Sequence, residues 1–141
     1  MAENKTFSMI KPDAYQGGHS GAILKKIEEA GFKIIAMKLT RLSIDQAMKF
    51  YGIHKDRPFY QDLCKYMSSG CIIALALEKS NAVADFRKLI GATNPAQAEE
   101  GTIRKQFAKS IEANAIHGSD SDENAMIESN FFFPTLDQYG N

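Results

Sequence analysis

The longest uninterrupted apolar run of the chain is CIIALAL, residues 71–77. A run that is short, continuous and apolar is typical of a β-strand that is covered on both faces. Gly70 comes directly before the run and separates it from the preceding segment. The run is far shorter than the ~20 residues that a membrane-spanning helix needs. We therefore expect it to be a buried strand of a soluble, globular domain.

Three other segments are predicted to be strands. Residues 6–10 alternate polar and apolar side chains, which is the period of a half-buried strand, and Pro12 prevents that strand from continuing. Residues 32–39 are rich in Ile and Phe, as strands often are. Residues 113–117 are predicted to form a brief fourth strand.

Apolar residues at helical spacing predict helices between these strands. Ser43 and Gln46 fit a capping box at the start of one helix. Ser80 is expected to cap another helix, which Gly91 ends. The segments that indicate helices are residues 23–30, 44–51, 61–68, 80–90 and 102–107, and the segment that follows residues 120–123.

This order of elements predicts an α+β fold, an α/β sandwich. We expect a ferredoxin-like βαββαβ core with a four-stranded antiparallel sheet, an inserted helical pair and a long loop before the last strand. The loop covers residues 91–110, and a loop of that length in a small domain usually serves function or assembly. With 141 residues the chain has the size of one domain, so residues 1–141 are predicted to be a single unit.

The charge composition excludes one class of function. Lys and Arg number 17, Asp and Glu also number 17, and the formal net charge is zero. A neutral chain argues against binding of nucleic acid through bulk electrostatics. All the Lys and Arg residues precede His117, however, and this is compatible with a local cationic slot for one small polyanion.

Several common sites are absent from the sequence. It has no P-loop, no GxGxxG segment, no protein-kinase signature and no HExxH helix. Cys64 and Cys71 form no CxxC pair, so a disulfide framework and a structural zinc site are not expected. The first residues lack the layout of a signal peptide, and a cytoplasmic location is the expectation.

His117 lies at the end of the fourth predicted strand, before a glycine and the start of a helix. A side chain at such a corner can face solvent, although a histidine there is often only a structural residue. The surrounding octapeptide NAIHGSDS, residues 114–121, reproduces the active-site signature of the nucleoside diphosphate kinases, and the chain resembles this family. The other matching segments, in the family's order and spacing, are KPD at 11–13, FY at 50–51, RPF at 57–59, GATNP at 91–95 and GTIR at 101–104.

The resemblance extends from residue 6 to residue 133. The chain is similar to the short, bacterial-type members of the family. It implies transfer of the terminal phosphoryl group of a nucleoside triphosphate, typically ATP, to a nucleoside diphosphate. The transfer would proceed through a phosphohistidine at His117 and would maintain nucleoside triphosphate pools. Glu128 and Ser119 match the residues that support the histidine, Lys11 matches the lysine that meets the transferred phosphate, and Tyr51 matches a tyrosine near it.

The resemblance also assigns a nucleotide site. Arg87, Thr93 and Arg104 match residues that hold the phosphates, and Asn114 matches the residue that bonds the sugar. Phe59 matches the aromatic residue on which the base stacks, with apolar contacts expected from Leu63 and Ile111. Mg²⁺ is expected to be carried by the nucleotide phosphates rather than held by protein ligands. The family also implies a homo-oligomer built from dimers, a tetramer or a hexamer.

Taken singly, these residues have simpler interpretations. Lys11, Arg87 and Arg104 would be surface charges in most proteins, and Tyr51 lies on the apolar face of its helix, where it would be core. Two other functions therefore remain open at this point. One is a nucleotide- or nucleic-acid-binding module on the same fold, although the aromatic RNA-binding strand signature is absent. The other is a phosphohistidine relay that acts on proteins.

Overall fold

The computed structural model describes residues 4–140, which contain a four-stranded sheet. The strands are β1 (Lys5–Ile10), β2 (Lys33–Thr40), β3 (Ile72–Glu78) and β4 (Ile116–Gly118). Their order across the sheet is β2-β3-β1-β4, and all neighbouring pairs are antiparallel. The predicted ferredoxin-like α+β fold is confirmed, with β1 between β3 and β4.

Helices connect the strands as expected. Within residues 4–140 they are α1 (Pro12–Gln16), α2 (Ser20–Glu29), α3 (Ile44–Phe50), α4 (Tyr60–Met67), α5 (Ala82–Ile90), α6 (Ile103–Phe107) and α7 (Asp122–Phe132). Short 3-10 helices span Gly52–His54, Pro95–Gln97 and Thr135–Asp137. The predicted inserted helical pair is α3 and α4, which lie between β2 and β3 in the chain.

Helices cover both faces of the sheet. Residues of α3, α4 and α7 form one buried cluster with the sheet, and residues of α2 and α5 form a second cluster on the opposite side. The central strand β3 contributes to both, with Ala74 and Ala76 in the first cluster and Leu75 and Leu77 in the second. Burial on both faces explains why its sequence is continuously apolar rather than alternating.

Of the two capping signals predicted from the sequence, the one at Ser43 is confirmed. The side chains of Ser43 and Gln46 form the reciprocal capping box, and Ser121 caps α7. The prediction that Ser80 caps α5 is wrong. The N-cap is Asn81, whose φ of 56° lies in the left-handed region that asparagine tolerates better than most residues.

Several element boundaries differ by a few residues from the sequence prediction, and the structure adds one helix that was not predicted. A short helix, α1, begins at Pro12, where proline is favourable in the first helical turn. Strand β4 begins at Ile116 rather than at residue 113, because Ala115 has a φ of 73° and interrupts the extended chain. Helix α7 continues through Phe132, which stacks on Phe7 with ring centroids 5.2 Å apart.

Candidate active site

The predicted site residues meet in one pocket. Its volume is about 610 Å³, and it lies where the end of β4 meets the α3–α4 pair and the loop that precedes β4. All the predicted residues except Ser119 line it: Lys11, Tyr51, Phe59, Leu63, Arg87, Thr93, Arg104, Ile111, Asn114, His117 and Glu128. Ser119 lies directly behind the lining, in hydrogen-bond contact with Glu128.

The imidazole of His117 is held from one side. Its Nε2 lies 2.9 Å from Oε1 of Glu128, and the Ser119 hydroxyl donates a hydrogen bond of 2.7 Å to the same oxygen. A carboxylate accepts hydrogen bonds, so this contact assigns the proton of the neutral ring to Nε2. The lone pair of the ring is then on Nδ1, which is the arrangement that a nitrogen nucleophile requires.

The sheet register fixes this arrangement. His117 pairs with Met9 in the β1–β4 ladder, and the Ser8 hydroxyl donates a 2.8 Å hydrogen bond to the His117 carbonyl. The Ser119 hydroxyl accepts a 3.1 Å bond from the backbone N–H of Phe7. Glu128 is therefore positioned by α7, and the groups that it contacts are positioned by the backbone of two paired strands.

Two cations are buried in the pocket without a carboxylate partner. Lys11 and Arg104 are each 7% exposed, and neither forms an ion pair within residues 4–140. Lys11 Nζ donates to the side-chain oxygen of Asn114 at 2.8 Å, and Arg104 donates to the carbonyls of Gly91 and Ile116. These acceptors are neutral, so an anion is the partner that the two charges lack.

Burial has the expected effect on these two groups. It lowers the pKa of Lys11 to about 8, with a further contribution from the charge of Arg104. It also lowers the pKa of Arg104 to about 10, assisted by Arg87, which lies exposed on α5. Both groups are still cationic at neutral pH, and a polyphosphate would relieve the repulsion between them.

Tyr51 belongs both to the core and to the pocket. Its side chain is 6% exposed and packs in the cluster beneath α3 and α4, as its apolar position suggested. Its hydroxyl is buried and has no hydrogen-bond partner within residues 4–140. Burial, together with the charge of Glu128, raises the pKa of this hydroxyl, so it stays protonated and is available as a donor.

The outer part of the pocket is apolar. Phe59 is 48% exposed and Ile111 is 58% exposed, whereas Leu63 is half-buried between them and the core. Asn114 lies deeper, and its side-chain nitrogen donates to the carbonyl of the exposed Thr93 at 3.3 Å. The pocket thus has an apolar mouth and a cationic interior.

Several lining residues were missed by sequence reasoning: Phe50, Ile53, His54, Asp62, Glu112, Gly118 and Asp120. Phe50 is adjacent to Tyr51, and its ring makes an edge contact with His117 at a centroid distance of 5.8 Å. The aromatic pair at positions 50–51 was a signal for it. Asp62 and Glu112 neighbour predicted residues in sequence, but nothing in their own pattern separates them from ordinary surface acids.

Two negative findings concern the described part of the chain. None of the helices in residues 4–140 has the length and apolarity required to traverse a bilayer. No group of three or more His, Cys, Asp or Glu side chains in the same range is arranged to hold a metal ion.

A pocket that joins unpaired buried cations, an exposed aromatic ring and a histidine with a free nitrogen is typical of an enzyme that handles nucleotide phosphates. Comparison with known proteins agrees. Residues 4–137 match the family model described as "Nucleoside diphosphate kinase". The chain is 61% identical over 139 residues to the nucleoside diphosphate kinase of Flavobacterium psychrophilum, covering 99% of this chain and 100% of that one. For the enzyme of Trichlorobacter lovleyi the identity is 55%, with 96% and 99% covered.

Solved structures give the same result. The nucleoside diphosphate kinase of Aquifex aeolicus superimposes with a TM-score of 0.94 at 39% identity, over 96% of this chain and 98% of that chain. The enzyme of Halobacterium salinarum, solved in complex with CDP, gives 0.93 at 33% identity, over 99% and 93%. The chain belongs to the nucleoside diphosphate kinase family, and its activity is transfer of a phosphoryl group between nucleotides. The predicted family and enzyme class are thus confirmed.

Proposed function

We propose that the phosphoryl transfer proceeds in two half-reactions through a phosphohistidine at His117, and that the enzyme maintains nucleoside triphosphate pools in this way. The observation that carries the proposal is the hydrogen bond between Nε2 of His117 and Glu128, which leaves Nδ1 as the free nitrogen of a ring that lines the pocket. A neutral imidazole carries a nitrogen lone pair, so no strong base is needed to activate it.

In the first half-reaction Nδ1 of His117 attacks the terminal phosphorus of a nucleoside triphosphate. A bond between Nδ1 and phosphorus forms, the bond from phosphorus to the bridging oxygen breaks, and the nucleoside diphosphate leaves. The positive charge that develops on the ring is balanced by Glu128, whose carboxylate is held by Ser119. The second half-reaction reverses these steps with a different nucleoside diphosphate, which regenerates the neutral ring.

The cationic interior supplies the remaining catalysis. Phosphoryl transfer depends mainly on alignment and on neutralisation of the phosphate oxygens. We assign this role to Lys11, Arg87 and Arg104, with a further hydrogen bond from Thr93. To the Tyr51 hydroxyl, which has no partner in residues 4–140, we assign a hydrogen bond to the transferred group beside the histidine.

The mouth of the pocket receives the nucleoside. Phe59 offers an exposed ring for stacking of the base, with Leu63 and Ile111 as apolar neighbours. Stacking uses the π-face that all bases share, so the site is expected to accept both purines and pyrimidines. Asn114 is assigned to the sugar hydroxyls.

A divalent cation is expected to accompany the nucleotide, and we propose Mg²⁺. The oxygen atoms of the nucleotide phosphates are ligands that this ion prefers, so we expect the ion to enter the pocket bound to the nucleotide rather than to protein ligands. When bound, the ion neutralises charge on the phosphate oxygens.

Three further features of the proposal concern the whole protein. Residues 1–141 form a single domain, and the domain assembles into a homo-oligomer built from dimers, for which the exposed Met37 and Leu39 on the edge strand β2 provide apolar surface. The compartment is the cytoplasm, where nucleotides turn over and where the free thiols of Cys64 and Cys71 stay reduced. For the proposed homo-oligomer, light scattering of the purified protein distinguishes a tetramer from a hexamer.

The phosphoenzyme assay tests the reaction and the nucleophile together. The protein is incubated with ATP labelled in the terminal phosphate and with Mg²⁺, freed of nucleotide, and then mixed with GDP. We expect an acid-labile phosphoprotein that transfers its label to GDP and so forms labelled GTP. We expect no label on His117→Ala, and full labelling of the matched control His19→Gln, which lies outside the pocket. Undiminished turnover by His117→Ala would overturn the proposal.

A further inference from the structure

The chain makes an unusual turn directly before the strand that carries His117. Ala115 has a φ of 73°, and the N–H of Ile116 donates a 2.8 Å hydrogen bond to the carbonyl of Asn114. A bond that spans three residues around a positive φ defines the rarer, strained form of the γ-turn. Such a conformation persists only where surrounding contacts hold it, and it is often found at functional sites.

Both backbone groups of Ala115 are held by the segment that follows β1. Its N–H donates to Oδ2 of Asp13 at 3.1 Å, and its carbonyl accepts the N–H of Lys11 at 2.8 Å. The carboxylate of Asp13 is oriented in turn by Tyr66 of α4, whose hydroxyl donates to Oδ1 and accepts the N–H of Asp13. We call Asp13 and Tyr66 the turn clamp.

The turn connects the two halves of the site. On the N-terminal side of the turn, the side-chain oxygen of Asn114 accepts a hydrogen bond from the ammonium group of Lys11. On the C-terminal side of the turn, the carbonyl of Ile116 accepts a hydrogen bond from the guanidinium group of Arg104. His117 is the next residue in the chain. A change in the turn therefore moves the cations that hold the phosphates relative to the imidazole that attacks them.

We propose that Asp13 is a positioning residue, which holds the γ-turn at Ala115 through an acceptor oxygen and thereby aligns His117 with the cationic interior of the pocket. Tyr66 orients that oxygen. This inference rests on the proposed role of His117. It assigns Asp13 a function through geometry, so an uncharged acceptor at position 13 must serve as well as the carboxylate.

The first test compares Asp13→Ala with Asp13→Asn. Asparagine keeps an acceptor for the Ala115 N–H, and its amide can donate to the Tyr66 oxygen. We expect Asp13→Ala to lower the rate of phosphoenzyme formation at saturating ATP by about tenfold or more, since a misplacement near 1 Å has effects of this size. The ATP concentration for half-saturation should change less. Phe59 and Arg87, to which we assign contacts with the base and the phosphates, lie on elements other than the turn.

The expected rate for Asp13→Asn is within about threefold of the wild-type rate, a change far smaller than misalignment would cause. The measurement is made at pH 7, below the pKa of about 8 that Lys11 has in the wild type. The charge of Asp13 raises that pKa, and both variants lose this charge, so any effect on Lys11 is common to the two. An equal loss in both variants would overturn the proposal, because it would assign the effect to charge rather than to the acceptor. A wild-type rate in Asp13→Ala would overturn it as well.

The second test uses Ala115→Gly, since glycine adopts a positive φ without strain. Combined with Asp13→Ala, it should restore much of the lost rate, because the turn then needs no clamp. If Asp13→Ala alone fails to fold, the double variant still decides, since relief of the strain must restore folding and phosphoenzyme formation. No restoration in the double variant would contradict the proposal.

These outcomes are separable from the proposed function. If the wild-type enzyme forms no phosphohistidine at His117, the site assignment fails. If the wild-type enzyme forms the phosphohistidine but the Asp13 variants do not differ as described, only the positioning role proposed for the turn clamp is refuted.

Discussion

At the scale of single residues, the chemistry of the site depends on where protons reside. The contact with Glu128 places the proton of His117 on Nε2, and burial keeps Tyr51 protonated. Lys11 is the group that burial brings closest to neutrality, because its pKa falls from 10.5 to about 8. The lysine to which we assign phosphate binding is thus charged at pH 7 and neutral at mildly alkaline pH.

The pH profile of kcat/KM is the first prediction. This ratio reports the free enzyme, so we expect it to fall about tenfold per pH unit above pH 8, as Lys11 loses its proton. The profile of kcat should fall at a higher pH, because bound phosphates stabilise the charged lysine. Lys11→Arg keeps a charge at all these pH values, and its alkaline limb should disappear even if its rate is lower. An unchanged alkaline limb in Lys11→Arg would assign the titration to another group.

At the scale of elements, the loop between α5 and α6 shapes the cationic interior. Gly91 has a φ of 90°, and a Cβ atom built there would lie 2.6 Å from the hydroxyl oxygen of Thr102, the N-cap of α6. The carbonyl of Gly91 accepts a hydrogen bond from Arg104. The close approach of the two segments therefore holds Arg104 in the pocket.

Substitution of this glycine is the second prediction. Gly91→Ala combines backbone strain with a steric conflict, and we expect it to lower the free energy of unfolding by about 2–4 kcal/mol and to raise KM. Gly101→Ala is the matched control, because Gly101 has the same φ of 90° with no atom within 4 Å of the added Cβ. It should cost only about 1–2 kcal/mol and leave KM unchanged. Denaturant unfolding and steady-state kinetics measure both quantities, and equal effects of the two variants would contradict this account.

The elements also show how far sequence reasoning reaches. The capping box at Ser43 was predictable because its partners are three residues apart, and the buried strand β3 was predictable from its continuous apolar run. The left-handed Asn81 was not predictable, because Ser80 beside it is also a favourable capping residue. The γ-turn at Ala115 was not predictable because the contacts that hold it come from Lys11 and Asp13, which are distant in the chain. The nearness of Lys11 to Arg104 likewise follows from the sheet and not from local pattern. The resemblance to a known family, rather than residue physics, selected both as site residues.

At the scale of the whole molecule, the neutral net charge conceals an unfavourable local arrangement. Lys11 and Arg104 are buried near each other, and neither forms an ion pair in residues 4–140. Asp13 and Glu112 attract the Lys11 charge without pairing with it, so the protein without nucleotide bears the cost of two charges that are only partly compensated. Binding of a polyphosphate removes that cost. Removal of one of these charges should therefore raise the stability of the protein without nucleotide and lower its affinity for nucleotide.

The third prediction concerns Lys11→Met, which keeps most of the side-chain volume and removes the charge. Without nucleotide at pH 7, we expect the variant to unfold with a free energy roughly 1–3 kcal/mol higher than the wild type. The folded-state pKa of Lys11 lies below its unfolded value, so this difference is largest below pH 8 and fades as the pH rises toward 10.5.

The same variant should respond weakly to nucleotide. Wild-type stability is expected to increase by about 2.7 kcal/mol when ADP is present at a hundred times its Kd, whereas Lys11→Met should gain much less at that concentration. Thermal unfolding with and without ADP measures both effects. A variant that is less stable than the wild type without nucleotide, at pH 7, would refute the idea of a charge that is only partly compensated.

The central claim is that His117 receives the phosphoryl group on Nδ1 while Nε2 stays bonded to Glu128. The most direct measurement is nitrogen-15 and phosphorus-31 NMR of the phosphoenzyme, prepared from protein with labelled imidazole nitrogens. We predict that phosphorus couples to Nδ1 of His117 and that Nε2 retains its proton. Phosphorus on Nε2, or on any other side chain, would contradict the account.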